Sequence, residues 1–230
     1  MLELRGLSGG YDSLVVVHDL TLSIAPGSVT ALLGPNGAGK TTTLRLMMGL
    51  LKPKSGEVWF EGQLIGNLSP QKRAALGICY IPEGRAIFPS LSVRDNLIVQ
   101  APADDVDGIE RVVAAFPVLG NRLNQRAGTL SGGEQRMLGL ARAYLQNPRL
   151  ILVDEPSLGL APIIINKIFD SLRELAATGV SLLVVEQYAQ KAMALADEVY
   201  VMGKGQIQAS GTPAEMRNHL DLLGTYYTSG

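Results

Sequence analysis

Eight consecutive residues, Gly34-Pro35-Asn36-Gly37-Ala38-Gly39-Lys40-Thr41, match GxxxxGK[ST], a spacing at which a chain can wrap a phosphate. Glycines at this spacing let the backbone N–H groups of Asn36, Gly37, Ala38 and Gly39 curl around an anion. The positive end of a helix that follows points at the same spot. Lys40 supplies a point charge for β- and γ-phosphates, Thr41 a hydroxyl placed to ligate Mg²⁺, and Thr42 a contact to an α-phosphate. A second constellation is Asp154-Glu155, directly after the apolar run Leu150–Val153. At the carboxyl end of a parallel strand, Asp154 suits the outer shell of a metal, and Glu155, one residue farther out, suits polarisation of an attacking water. The third is Ser131-Gly132-Gly133-Glu134. Ser131 as N-cap with Glu134 three residues on is a capping box, but capping leaves the two glycines unexplained. A serine and two glycines at a helix start make a second anion site.

These residues need a sheet to hold them. Val29–Leu33, Ile78–Ile81, Leu150–Val153 and Ser181–Val185 are short apolar runs bounded by Gly, Pro or a charge, as expected of strands buried on both faces. The first 25 residues and Gly56–Leu64 read as antiparallel strands, with turns expected at Gly9-Gly10 and Pro26-Gly27. Helices are expected over Lys40–Gly49, Ser131–Gln146 and Pro162–Thr178. The last of these places Ile164, Ile165, Ile168, Phe169, Leu172 and Leu175 on one stripe before the stop at Gly179. From about residue 93 to 148 the pattern is helical without a strand, a helical lobe inserted in the sheet.

A chain of 230 residues with 47% hydrophobic content buries roughly 70–75% of its unfolded surface and needs no staple. Its 20 Lys+Arg against 21 Asp+Glu argue against a general nucleic-acid binder, whose affinity comes from a basic surface. Cys79 is a lone cysteine, which fits a reducing compartment. The longest uncharged stretch, Leu20 to Gly39, is broken by Pro26, Gly27 and the phosphate loop, so no membrane span is expected.

The phosphate loop, LSGGE (Leu130–Glu134) and LILVDEP (Leu150–Pro156), in this order, resemble the nucleotide-binding subunit of an ABC transporter over the whole chain. LSGGE is the specific part. The resemblance implies an α/β fold: a P-loop NTPase core with a mixed, largely parallel sheet, an N-terminal antiparallel β subdomain and the helical lobe, together one ATPase domain over residues 1–230. It also implies ATP and Mg²⁺ as cofactors. In that family two subunits pair head to tail, so Ser131, Gly132 and Gly133 would act on the ATP held by a partner's phosphate loop. Tyr11 stands where the family places an aromatic that stacks on adenine; the alternative is a surface tyrosine. Three positions depart from the pattern. Glu83 replaces a glutamine, and its carboxylate can reach Mg²⁺ or a water but cannot donate a hydrogen bond. Gln187 replaces the switch histidine; its amide can donate to a γ-phosphate without titrating. Ala161 replaces an aspartate. His18 and His219 lie far from these positions and read as surface residues.

IPEGRAIFPSLSVRDNL (Ile81–Leu97), DEPSLGLAP (Asp154–Pro162) and VVEQYAQKAMALADEVYVMGKG (Val184–Gly205) resemble the shorter of two ATPase subunits in importers of branched-chain amino acids. Urea and short-amide importers have a similar subunit, and non-transport ATP switches share the fold. The resemblance implies transmembrane permease partners, an external solute-binding protein, and a homodimer or a heterodimer with a paralogous ATPase. It places the chain on the cytoplasmic side of the membrane, held there by the permease. Arg85–Leu97, with Ile87, Phe88 and Leu91, would receive the permease, or would simply pack under the helical lobe.

Overall fold

The computed structural model describes residues 1–84 and 86–217. It builds two sheets. Strands β1 (Leu2–Tyr11), β2 (Leu14–Ile24), β4 (Pro53–Phe60) and β5 (Gln63–Leu64) form an antiparallel sheet in the order β2-β1-β4-β5. Strands β3 (Val29–Leu33), β6 (Ile78–Ile81), β7 (Leu150–Asp154), β8 (Ser181–Glu186), β9 (Glu198–Gly203) and β10 (Gln206–Gly211) form the second sheet, in the order β10-β9-β3-β8-β7-β6. Its five strands β9, β3, β8, β7 and β6 are mutually parallel, and β10 joins the edge antiparallel.

Both faces of this second sheet are covered, so its central strands read as unbroken apolar runs. Ala31, Leu33, Ile151, Val153, Leu182 and Val184 point into a core shared with the helices. The alternate residues Leu32, Leu150, Leu152, Leu183 and Val185 point into a second core shared with the antiparallel sheet. The chain also forms α1 (Lys40–Met47), α2 (Pro70–Ala75), α3 (Val93–Gln100), α4 (Gly108–Ala115), α5 (Pro117–Gly120), α6 (Gly132–Gln146), α7 (Pro162–Ala177) and α8 (Ala189–Met193). Helices α3 to α6 all lie between β6 and β7, the lobe expected from the sequence. Among the described residues no helix is long and apolar enough to cross a membrane.

One expected turn is misplaced. Gly9-Gly10 lies inside β1, and the chain reverses at Asp12-Ser13, with Asp12 left-handed at φ 45°. The glycines serve close approach rather than reversal: a Cβ on Gly9 would sit 2.7 Å from Leu46 of α1, and one on Gly10 only 2.2 Å from the Leu14 carbonyl oxygen. The Pro26-Gly27 turn lies where expected, as do β3 and β6, while β7 and β8 each run one residue farther, ending on Asp154 and Glu186. His18 is exposed; His219 lies outside the described residues.

Helix α1 leaves the phosphate loop, so its far end must also be fixed. Arg73 of α2, fully buried, does this. Its guanidinium donates to the carbonyls of Leu46 and Met47 at the end of α1 (2.9 and 2.5 Å), and to Gly66 (2.9 Å) and Leu68 (3.1 Å). Replacing it by methionine keeps the bulk but removes one donor from each of four carbonyls, of which Leu46 keeps a second donor in the Gly49 N–H. At about 1–3 kcal/mol for each buried group left unsatisfied, partly relieved by water, Arg73→Met should lower stability by about 3 kcal/mol. An unchanged denaturation midpoint would show that the carbonyls are satisfied some other way.

Candidate active site

The segments that leave β3, β6 and β7 at their carboxyl ends line one cavity of about 300 Å³, at the small end of ligand sites. Asn36 through Thr42 form its floor, Glu83 and Glu155 line it, and Val16 and Leu158 complete the wall. The floor is a tight strand-to-helix turn. Gly39 sits at φ 106°, where a side chain is strained, and a Cβ there would also lie 2.8 Å from Met202.

Lys40 and Glu155 meet inside this cavity. The Lys40 ammonium lies 3.0 Å from Glu155 Oε1 and donates to the carbonyls of Gly34 (2.7 Å) and Pro35 (3.1 Å), so all three of its donors are engaged. Both side chains are more than nine-tenths buried. The second oxygen of Glu155, Oε2, is buried and has no hydrogen-bond partner among the described residues. Glu155 is held in the left-handed region at φ 46°, its N–H bonded to the Val185 carbonyl of β8 at 2.9 Å. Strained backbone at an acidic residue in a cleft is a mark of function.

Beside this pair, Thr41 Oγ1 donates to Asp154 Oδ1 at 3.1 Å and Tyr80 of β6 donates to Asp154 Oδ2 at 3.1 Å. Burial pushes the Asp154 carboxyl up, the Thr41 and Tyr80 bonds pull it down, and Glu155 and Glu83 push it up again. Burial likewise raises the Tyr80 phenol, reinforced by Asp154. A hydroxyl and a carboxylate side by side at a phosphate loop are hard oxygen donors, and they fit Mg²⁺ held by one or two protein oxygens plus substrate phosphates.

The remaining candidates lie apart from the cavity. Tyr11 does not line it; its hydroxyl accepts from Arg45 Nη1 at 2.8 Å, and the Arg45 guanidinium lies 5.8 Å from the ring centroid. Gln187 is half-buried and also outside the lining. Ser131 and Gly132 are exposed at the start of α6. The capping box is present: Ser131 Oγ accepts from the Glu134 N–H (3.3 Å), and Glu134 Oε2 accepts from the Ser131 N–H (2.8 Å). Gly133 has a packing reason, since a Cβ there would lie 2.8 Å from Ile164 of α7. Gly132 has none among the described residues, and its missing side chain leaves open space there.

Several residues that bind the site together escape sequence reasoning. Arg136 of α6 is buried and donates to the carbonyls of Pro82, Gly84, Asp154, Glu155 and Pro156, tying the Glu83 loop and the acidic strand end to the Ser131 helix. Its sequence signal is slight, an arginine between Gln135 and Met137 within the expected helix. Glu186, read as a strand-ending charge, is fully buried. Asn96 is fully buried too, and pins the 88–92 loop by donating to the Phe88 (2.9 Å) and Ser92 (2.8 Å) carbonyls and accepting from the Phe88 N–H (2.7 Å). In that segment Ile87 packs against the core while Phe88 stays exposed; Arg85 lies outside the described residues.

The ABC transporter family model matches residues 17–158. The chain is 40% identical to the high-affinity branched-chain amino acid transport ATP-binding protein BraG of Pseudomonas aeruginosa, covering 98% of this chain and 99% of that one. It is 36% identical to the probable branched-chain amino acid transport ATP-binding protein LivF of Archaeoglobus fulgidus, over 95% of each. It is 33% identical to the lipopolysaccharide export system ATP-binding protein LptB of Acidithiobacillus ferridurans, over 94% of this chain and 92% of that one. A solved ADP conformation of MJ1267, an ATP-binding cassette of an ABC transporter, superposes with a TM-score of 0.85 at 28% identity, covering 96% of this chain and 94% of that one.

Proposed function

The chain belongs to the ABC transporter family, as an ATP-binding and ATP-hydrolysing subunit with a P-loop NTPase fold, and from that premise we propose that it powers uptake of branched-chain or related amino acids. The observation that carries the ATPase chemistry is the meeting of Lys40 and Glu155 in the cavity over the phosphate loop. The reading of import rests on BraG and LivF, full-length relatives at 40% and 36% identity. In this reading residues 1–230 are one ATPase domain. Asn36 to Thr42 hold the phosphates, Thr41 and Asp154 hold Mg²⁺ with Glu83 beside them, and Glu155 takes the proton of the attacking water. Gln187 senses the γ-phosphate, and Tyr11 faces the base. ATP-driven pairing with a second ATPase, the same chain or a paralogue, closes the permease cycle on the cytoplasmic face. An external binding protein presents the solute. Nucleic acid has no part.

The open space at Gly132 supports a trans role for the Ser131 turn. Ser131→Arg in a Glu155→Gln background should leave ATP binding by the monomer intact and abolish the Mg-ATP-dependent dimer, read as mass in solution. Loss of nucleotide binding by the monomer would place Ser131 in its own site and end the trans assignment. The solute is tested in the source organism lacking this chain. Loss of radiolabelled leucine uptake supports the reading. Leucine uptake intact with urea uptake lost moves it to a short-amide importer. Both intact, with lipopolysaccharide failing to reach the surface, would make the chain an export ATPase like LptB.

A further inference from the structure

Glu186 is fully buried, takes no part in the phosphate chemistry above, and yet engages both carboxylate oxygens. Oε1 accepts from the Ser157 N–H at 2.9 Å, in the loop that leaves β7 after Glu155-Pro156. Oε2 accepts from the N–H of Gln187 at 3.2 Å, at the turn that leaves β8. We propose that Glu186 is a positioning residue that locks the Gln187 turn to the Ser157 loop, so that the segments beyond β7 and β8 move as one unit. The inference rests on the ATPase reading of the cavity.

The chemistry explains the residue type. Two N–H donors on different segments need an acceptor-only group with two oxygens, and a carboxylate is that group. A glutamine would satisfy one donor and turn its own NH₂ on the other; a hydroxyl would reach only one. The guanidinium of Arg136 adds a favourable positive charge near a carboxylate that burial would otherwise disfavour. The lock reaches the reacting group. Val185, the residue before Glu186, accepts the backbone N–H of Glu155, and Leu158, the residue after Ser157, lines the cavity. Glu186 thus joins, by its side chain and its own backbone, the loop that carries Leu158 and the strand that holds the Glu155 N–H.

The test compares the full chain with Glu186→Gln, which is isosteric and removes one of the two ties. With wild type, amide hydrogen exchange at residues 157–161 and 187–190 should respond in parallel when Mg-ADP binds, because both are held by one group. In Glu186→Gln that parallel response should be lost, with ADP affinity within about twofold of wild type and kcat about tenfold to a hundredfold lower, as expected of a misplaced group. Glu186→Asp, too short to span both donors, should resemble Glu186→Gln. Wild-type kcat in Glu186→Gln, or affinity and kcat falling together with the melting temperature, would overturn the proposal. Segments that respond independently in wild type would overturn it without any variant. A wild-type chain that binds ADP with the parallel response but never hydrolyses ATP would instead sink the ATPase reading and leave the lock standing.

Discussion

Glu155→Gln should bind Mg-ATP as well as the parent chain and hydrolyse it about 10²–10⁴-fold more slowly, the range expected for removal of a general base. The geometry gives the reason. Among the described residues Oε2 is buried and unpartnered, a proton acceptor within the cavity, and Oε1 is bonded to Lys40 alone. Phosphates that draw Lys40 towards themselves leave both oxygens of a left-handed, backbone-anchored carboxylate available. The amide of glutamine keeps the shape and the anchor but cannot take a proton from water. Phosphate release and nucleotide binding, measured on one preparation, separate the two effects. The informative control is Glu83→Gln, because Glu83 lines the same cavity. If Glu155→Gln retained substantial turnover and Glu83→Gln did not, the base would be Glu83. If ATP were trapped and the mass in solution doubled only with Mg-ATP, the paired state would be the hydrolytic one.

What the sequence makes legible here is what the backbone itself dictates. The phosphate loop is readable because glycine tolerates φ 106° beside Met202, and because the short β-branched run before it, bounded by glycines, suits a strand buried on both faces. Asp154 and Glu155 are readable for the same reason, standing at the end of such a run. The Gly9-Gly10 turn was misplaced because two glycines signal either reversal or close approach, and the neighbour that decides, Leu46, is distant in sequence. Arg136, Glu186, Asn96 and Tyr80 were not legible as parts of the site, since none has a local pattern. Arg136 reaches carbonyls as far as 54 residues away, and Glu186 a backbone N–H 29 residues away. A polar side chain that serves remote backbone leaves no periodicity behind; its only trace is a charge where an apolar residue would pack. The residues of the candidate phosphate site are therefore local and readable, and the framework that aligns them is not.

Lys40→Ala should weaken nucleotide binding by about 10²–10³-fold, on the basis that truncating one member of a buried, hydrogen-bonded charge pair costs about 3–4 kcal/mol. A second effect should appear without nucleotide. Among the described residues Lys40 is the only cation bonded to Glu155; both are more than nine-tenths buried, and removing one leaves the other uncompensated. The single variant should therefore melt at a lower temperature than the parent, by an amount equivalent to about 3 kcal/mol. The double variant Lys40→Ala with Glu155→Gln separates the roles. Neutralising the stranded carboxylate should recover much of the lost stability and none of the lost affinity, because the amide replaces the charge problem but not the phosphate contact. If affinity recovered with stability, Lys40 would serve mainly as the counter-ion of Glu155. If neither recovered, loss of the Lys40 bonds to the Gly34 and Pro35 carbonyls would be what destabilises the loop. The expected split, stability back and binding gone, would show one ammonium doing two jobs in turn: holding the catalytic carboxylate until phosphate arrives, then exchanging that carboxylate for the phosphate.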